Sequence, residues 1–352
     1  MPVDTMTPKE RWIAVLSGKK PDRVPMDYWA TSETTVMLIK HLGCSDEWDM
    51  CRKLHLDMPV KVEPDYIGPP IAKDSDIYGC KYKDLDYGEG SYRDCVFHPL
   101  ASCRSIEDVE SGYRWPDPNW WDYSSVPNQI DKKEDYPILA GHYEPFLIYK
   151  NLRGQERAFK DLVENPELVH FCLDKLFAIK FTEIQRLYDR IPGKVTLTYV
   201  AEDMGGQEDL MLSPGHIREF LLPKMKKIID FTHSQGAFAF HHNDGSIRRI
   251  IPDMISAGID ILNPIQWRAR NMDRKKLKED FGHQVVLHGA MDNQHTLPFG
   301  CRAEVKAEVL ENLQILGEGG GYILAPCHNI QPITPIENIL TMYETGYEYG
   351  WT

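Results

Sequence analysis

AFAFHHNDGS, residues 237–246, reads as a strand running into a turn. Ala237 to Phe240 form a short apolar run of the kind buried on both faces of a parallel sheet. His241 and His242 end the run, Asp244 and Gly245 follow, and Ser246 is placed to cap a helix beginning near Ile247. Two imidazoles and a carboxylate therefore fall where a strand gives way to a helix. In a (β/α) barrel that is the catalytic face. The same pattern also fits a polar strand end with one satisfied core histidine, so the neighbouring stretches have to arbitrate.

Outward from this unit the strand and helix rhythm repeats. Downstream, DILNP (260–264), QVVLHGAM (284–291) and GYILAP (321–326) are strand-like, with helical stretches at 273–280, 303–316 and 335–349. Upstream lie PILAGHY (137–143), a helical stretch over 157–188 broken at Pro166, the strand KVTLTYVAED (194–203) and SPGHIREFLLPKMKKIIDFTHSQG (213–236). The last has Ser213 as cap, Pro214 in the first turn and Gly236 as stop. With two earlier segments, the expected strands are 24–29, 58–63, 137–142, 195–200, 237–242, 260–264, 284–290 and 321–326. Eight strands alternating with helices imply an α/β protein with one domain over 1–352, a (β/α)8 TIM barrel with an N-terminal extension. Residues 77–130 break the rhythm. IYGCKYKDLDYGEGSYRDCVFHPL (77–100) reads as an inserted antiparallel hairpin, and RWPDPNWWDYSSVPNQ (114–129) as an ordered loop whose aromatics either pack on the barrel or line a pocket. Gly319 to Gly321 precede the last strand, so tight-turn geometry explains them better than phosphate binding.

Composition narrows the class. The chain has 352 residues, 42% apolar and 26% charged, as a soluble globular protein does. A formal charge of −13 argues against nucleic acid or an anionic membrane as the main partner. The eight cysteines show no C-x-x-C and no disulfide framework, which fits reduced thiols in a cytoplasm. The N-terminus MPVDTMTPKER does not read as a signal peptide, and no apolar run reaches the ~20 residues of a membrane span. The localisation expected is therefore cytoplasmic, and the reading leaves room for a homodimer.

The strand ends carry polar groups: His142, Tyr143 and Glu144; Glu202, Asp203 and Gln207; His241, His242 and Asp244; Asn263 and Gln266; His288, Asp292 and Gln294; Cys327, His328, Asn329 and Gln331. Any one of these is explained by a cap or a satisfied polar group, and for Asp292, Gln294 and Asn329 that is the simpler account. Six such clusters at one end are harder to explain as caps alone. His242, Asp244 and His328 suggest a metal site with an open position for substrate, with Glu202 and Asp203 as rival carboxylates. Glu202, Asp203 and His288 are the candidates for proton transfer. Tyr28, Trp29 and Tyr199 are placed to enclose a small-molecule substrate, with His142, Gln207, Asn263 and Gln266 as its polar contacts.

PDRVPMDYW (21–29), AEDMGGQEDLMLSPGHIREFLLPKMKKII (201–229), HNDGSIRRIIPDMISAGIDILNPIQ (242–266) and GGGYILAPCHNIQPITPIENILTMYE (319–344) together resemble the uroporphyrinogen decarboxylase superfamily. The resemblance implies a (β/α)8 barrel and one of two chemistries. One is cofactor-free decarboxylation of a carboxylated substrate, a lyase reaction. The other is zinc-assisted methyl transfer with a cobalt corrinoid (cobalamin type), as in coenzyme M methyltransferases and O-demethylase systems. The decarboxylases carry paired arginines after the PDR-x-P turn, whereas MDYWATSETTVML (26–38) has none. The methyltransferases carry H-x-C-G and a later cysteine as metal ligands. Here the matching positions are His242-Asn243-Asp244-Gly245 and Cys327-His328, so aspartate replaces one thiolate. His-Asp-His is a harder donor set than His-Cys-Cys. DFTHSQG (230–236) does not match the corrinoid-binding signature, so the resemblance implies a separate corrinoid protein as partner and a methylated small molecule, thiol or pterin as substrate.

Overall fold

The computed structural model describes residues 3–86 and 91–352. Seven parallel strands form one sheet whose spatial order follows the chain: β1 (Val60–Val62), β2 (Ile138–Tyr143), β3 (Leu197–Ala201), β4 (Phe238–His242), β5 (Ile261–Asn263), β6 (Val286–Met291) and β7 (Tyr322–Pro326). Helices connect them, as parallel pairing requires. Every residue of β6 and β7 is buried, as expected for strands covered on both faces.

Eight strands were expected. The segment 24–29 is not a ladder strand. Met26 makes one isolated parallel bridge to Leu324, with Leu324 N–H donating to Pro25 O and Asp27 N–H to Leu324 O, both at 2.9 Å. On its other side Met26 O accepts from Asp57 N–H at 2.7 Å. Pro25 has no N–H to donate, which interrupts a ladder at its first step.

The sheet is curled, because side chains from six strands meet in one apolar layer: Leu139, Leu197, Phe240, Ile261, Val286 and Ile323. Trp12 and Val15 complete that layer from the helix Pro8–Leu16, which carries a capping box of Thr7 and Glu10. The N-terminal extension thus plugs the end of the sheet opposite His242. Trp12 is fully buried, and its indole N–H donates to Asp57 O at 2.8 Å.

Most helix boundaries fall where turn chemistry placed them. Pro166 separates Gln155–Glu164 from Pro166–Arg190. Ser213 caps its helix through His216 N–H. A π turn at Ile217–Leu221 precedes Pro223, whose missing N–H removes an ordinary helical bond. Ser246 does not cap a helix. Its hydroxyl donates to Arg270 O at 2.6 Å, and the helix starts at Ile251, with Pro252 in the first turn. The expected hairpin pairs Lys81–Asp86 with Ser91–Phe97, and its turn lies outside the described residues. In the aromatic loop, Trp121–Asp122 pairs with Asp65–Tyr66 and Trp115 packs against the core as a satellite.

Candidate functional site

His242 is the last residue of β4, and its buried ring lies on Trp29, with centroids 5.5 Å apart and planes 23° apart. Tyr199 of β3 is the second aromatic neighbour, at 6.0 Å. Its ring stacks on His142 at 5.3 Å, and its hydroxyl donates to Glu144 Oε1 at 3.2 Å. These rings sit above Phe240 and the apolar layer, so the site has an aromatic floor resting on buried apolar side chains.

Above that floor His242 Nε2 faces two carboxylates, Asp203 Oδ1 at 3.7 Å and Asp244 Oδ2 at 3.8 Å. Among the described residues, Asp203, His242 and Asp244 are the one group of three or more His, Cys, Asp or Glu close enough to share a metal ion, with ligand atoms within 4.8 Å. His328 stands at the edge: Nε2 is 4.0 Å from Asp244 Oδ2 and the side chain is 49% exposed. The expected set of His242, Asp244 and His328 is thus partly assembled, and Asp203, named both for proton transfer and as a rival carboxylate, lies among the donors. Cys327 is buried and donates to Ile265 O at 3.4 Å, with burial pushing its thiol well above the ordinary range. It stands outside the donor group.

Two loops bring the carboxylates together. Asp244 N–H donates to Asp203 Oδ1 at 3.1 Å, and Ser246 N–H to Gly206 O at 2.7 Å. Gly245 has φ +84°, a conformation glycine adopts freely. Gln266 Oε1 accepts its N–H at 2.8 Å. Burial raises Asp244 above its ordinary value, and His242 opposes that rise. Burial acts in the same direction on Glu144, but the hydrogen bond and charge of His142 outweigh it and hold that carboxyl low.

The remaining candidates are buried deeper or lie further out. Glu202 is fully buried, and its oxygens accept Phe146 N–H at 2.6 Å and Leu147 N–H at 3.0 Å, at the start of the helix Pro145–Arg153. Burial pushes this carboxyl up to about 8, against the pull of the Phe146 N–H. His288 is fully buried and touches Asp27 and Asn263. Asn263 bridges His288 and His242. Tyr28 is buried, with its hydroxyl 3.0 Å from Thr35 Oγ1, and burial raises its pKa. Gln207 is exposed; its carbonyl accepts Arg270 N–H at 2.9 Å. A cavity of about 410 Å³ opens beside Trp29, lined also by Asp27, Tyr28, Trp48, Lys61 and Lys133. A cavity of about 880 Å³ lies at the opposite end of the sheet, around Lys19 and Gly319–Gly321, away from the donor group.

Sequence reading missed two residues here. Asp27 accepts from Tyr28 N–H, Trp29 Nε1–H and His288 Nε2 at 2.8, 2.8 and 2.9 Å, holding the aromatic floor to β6. The signal was a lone carboxylate inside the apolar run VPMDYW. Asn243, also fully buried, accepts Met204 N–H at 2.9 Å and so ties the loop after β3 to the end of β4.

A family profile described as uroporphyrinogen decarboxylase (URO-D) matches residues 127–349. A methylcobamide:CoM methyltransferase of Methanosarcina barkeri is 27% identical over 216 residues, 61% of this chain and 59% of that protein. The chain therefore aligns with only about 59% of this relative's length. A uroporphyrinogen decarboxylase of Geobacter metallireducens is 23% identical over 359 aligned positions, 95% of this chain and 97% of that protein. Among solved structures, a methyltransferase from Methanosarcina mazei superposes with a TM-score of 0.67 at 21% identity, covering 98% of this chain and 99% of the other. That likeness is one of fold.

Proposed function

The chain belongs to the uroporphyrinogen decarboxylase family, and on that premise we propose that it is a methyltransferase, moving a methyl group between a corrinoid carried by a separate protein and a small substrate at the mouth of a (β/α)8 barrel. In this reading the segment 24–29 serves as the eighth stave, bonded to β7 on one side and to Asp57 on the other. The observation that carries the functional reading is the convergence of His242 Nε2 on Asp203 and Asp244 at 3.7 and 3.8 Å above an aromatic floor.

The donor chemistry fits a divalent metal. One imidazole nitrogen and two carboxylates suit zinc and still more its harder neighbours, because no thiolate is among them. Asp203, His242 and Asp244 would hold the ion, and His328 is the nearest further donor. When bound, the metal would supply Lewis-acid activation of the substrate heteroatom.

The chain's own residues do the rest. Trp29 and Tyr199 form the aromatic floor against which the substrate would lie. The cavity beside Trp29 offers room for the substrate body, with Lys61 and Lys133 as counter-charges to an anionic arm. Glu144, held low beside His142, is the carboxylate placed to accept a proton from a substrate thiol or alcohol at the rim. A corrinoid docked at the mouth would supply or take up the methyl group as a CH3+ equivalent, and the substrate heteroatom held above Trp29 would be its other partner.

Elemental mass spectrometry on untagged protein tests the metal part. About one equivalent of metal per chain, lost in His242→Ala, is expected. No metal after reconstitution would remove the metal from the mechanism and favour acid–base decarboxylation.

A further inference from the structure

A line of hydrogen bonds runs through the interior from Asp27 to the mouth. His288 Nε2 is 2.9 Å from Asp27 Oδ2, His288 Nδ1 is 2.6 Å from Asn263 Nδ2, and Asn263 Oδ1 is 2.6 Å from His242 Nδ1. Asp27, Asn263 and His288 are at most 1% exposed. We propose that Asp27, acting through His288 and Asn263, sets the proton of His242 on Nδ1 and leaves the Nε2 lone pair facing Asp203 and Asp244.

Which groups can donate fixes where the protons lie. Asp27 meets three N–H groups: Tyr28 N–H at Oδ1, and Trp29 Nε1–H and His288 Nε2–H at Oδ2. A carboxylate so surrounded only accepts, so the His288 proton is on Nε2. With one proton on that ring, Nδ1 must accept, and the group facing it must be the Asn263 amide N–H2. The Asn263 oxygen then points at His242, where only a donor satisfies it, which places the His242 proton on Nδ1. Each step has one outcome because an amide presents a donor on one side and an acceptor on the other.

The opposite arrangement needs a second proton on His288. Asn263 would then accept from His288 and donate to His242. The His242 proton would move to Nε2, pointing at the carboxylates, and no lone pair would be left for a metal or a substrate proton. Asp27 accepts from His288 Nε2–H in both states and excludes the neutral ring protonated on Nδ1; the two states differ only by the second proton, on His288 Nδ1. Asp27, His288 and Asn263 are positioning residues. Partners of this kind fix the tautomer of a ligating histidine in known metal sites. Only the consequence for metal and substrate rests on the function proposed above; the tautomer itself does not.

Long-range 1H–15N correlation spectra of full-length, metal-free, 15N-histidine-labelled protein read this directly, with His242 and His288 assigned by substitution. The wild type is expected to show His242 protonated on Nδ1 and bare on Nε2, and His288 the reverse. In His288→Leu the Asn263 amide is free to turn, and the Nε2–H form of His242 should rise by about tenfold, the weight of one hydrogen bond. In the double variant His288→Leu/Asn263→Asp a carboxylate again only accepts, and His242 Nδ1 should be protonated as in the wild type. A wild-type His242 with its proton on Nε2 would overturn the inference, as would a His242 pattern indifferent to His288→Leu. A failure of methyl transfer would leave these spectra unchanged, so the two readings fail separately.

Discussion

Gly205 and Asp244 touch across two loops: a Cβ on Gly205 would lie 2.4 Å from the Asp244 carbonyl oxygen and 2.7 Å from the Ile247 side chain. The loop after β3 carries Asp203 and the loop after β4 carries Asp244, so this contact sets the spacing of the two carboxylates about His242. Gly205→Ala drives a methyl group against the backbone of Asp244 and Ser246. Stability should fall by about 1–3 kcal/mol. Metal affinity should fall by roughly 10- to 100-fold, as for other supporting positions around a site. Thermal melts with and without metal, together with titration calorimetry, would check both. Unchanged affinity would show that the loops do not set the donors.

The donor set itself predicts an order of effects. Asp244→Asn and Asp203→Asn should each weaken metal binding on the order of 100-fold or more, while His328→Ala should stay within about tenfold, because His328 is exposed and lies outside the group of three. Competition with a chromogenic chelator measures each variant. A loss in His328→Ala as large as that in Asp203→Asn would restore the His-Asp-His set that the sequence pattern suggested.

His241 supplies a pH dependence unrelated to the site's chemistry. It is fully buried, its Nδ1 lies 2.8 Å from Val200 O, and its Nε2 has no hydrogen-bond partner among the described residues. Burial pushes the imidazole down from 6.5 to about 4. The folded form therefore binds this proton less readily than the unfolded form. Its contribution is complete above pH 6.5 and is lost as pH falls toward 4. The wild type should lose about 2 kcal/mol by pH 5 through this group alone. Urea unfolding of wild type and His241→Leu at pH 7.5 and pH 5 should show a smaller difference between the two pH values in the variant. Parallel losses would remove His241 as the cause.

Glu202 caps a helix from the end of another strand. Removing its carboxylate in Glu202→Ala leaves the buried Phe146 N–H and the partly buried Leu147 N–H without their acceptor. At about 1–3 kcal/mol for each unsatisfied group, the melting temperature should drop by several degrees. Differential scanning calorimetry reads this. A variant as stable as wild type would mean that water or another group takes over both donors.

Periodicity and turn chemistry carried most of the architecture. Strand after strand was legible because β6 and β7 are buried throughout and, His288 apart, carry no charged or strongly polar side chain, and helix ends because Pro166 and Ser213 act locally. The segment 24–29 looked like a strand because VPMDYW has the right residues, but pairing depends on partners far away in the chain, and Pro25 removes a donor. Ser246 looked like a cap because its neighbours fit one, yet its hydroxyl is claimed by Arg270 O, a contact no local pattern encodes. The site was legible as a set of strand-end residues and illegible as a geometry. That Asp203 rather than His328 joins His242 depends on how glycines at 205, 206 and 245 let two loops meet. The role of Asp27 depends on a contact with His288, 261 positions away.

The proposed activity is tested most directly by methyl transfer from free methylcobalamin, standing in for the protein-bound corrinoid, to a panel of small thiols, with metal-loaded wild type and His242→Ala compared. The account predicts loss of the methylcobalamin absorbance with a matching amount of methyl thioether found by mass spectrometry, at a rate lower by about 100-fold or more in His242→Ala. Equal rates in the two proteins, or release of carbon dioxide from a carboxylated substrate by the metal-free wild type with no methyl transfer, would contradict it.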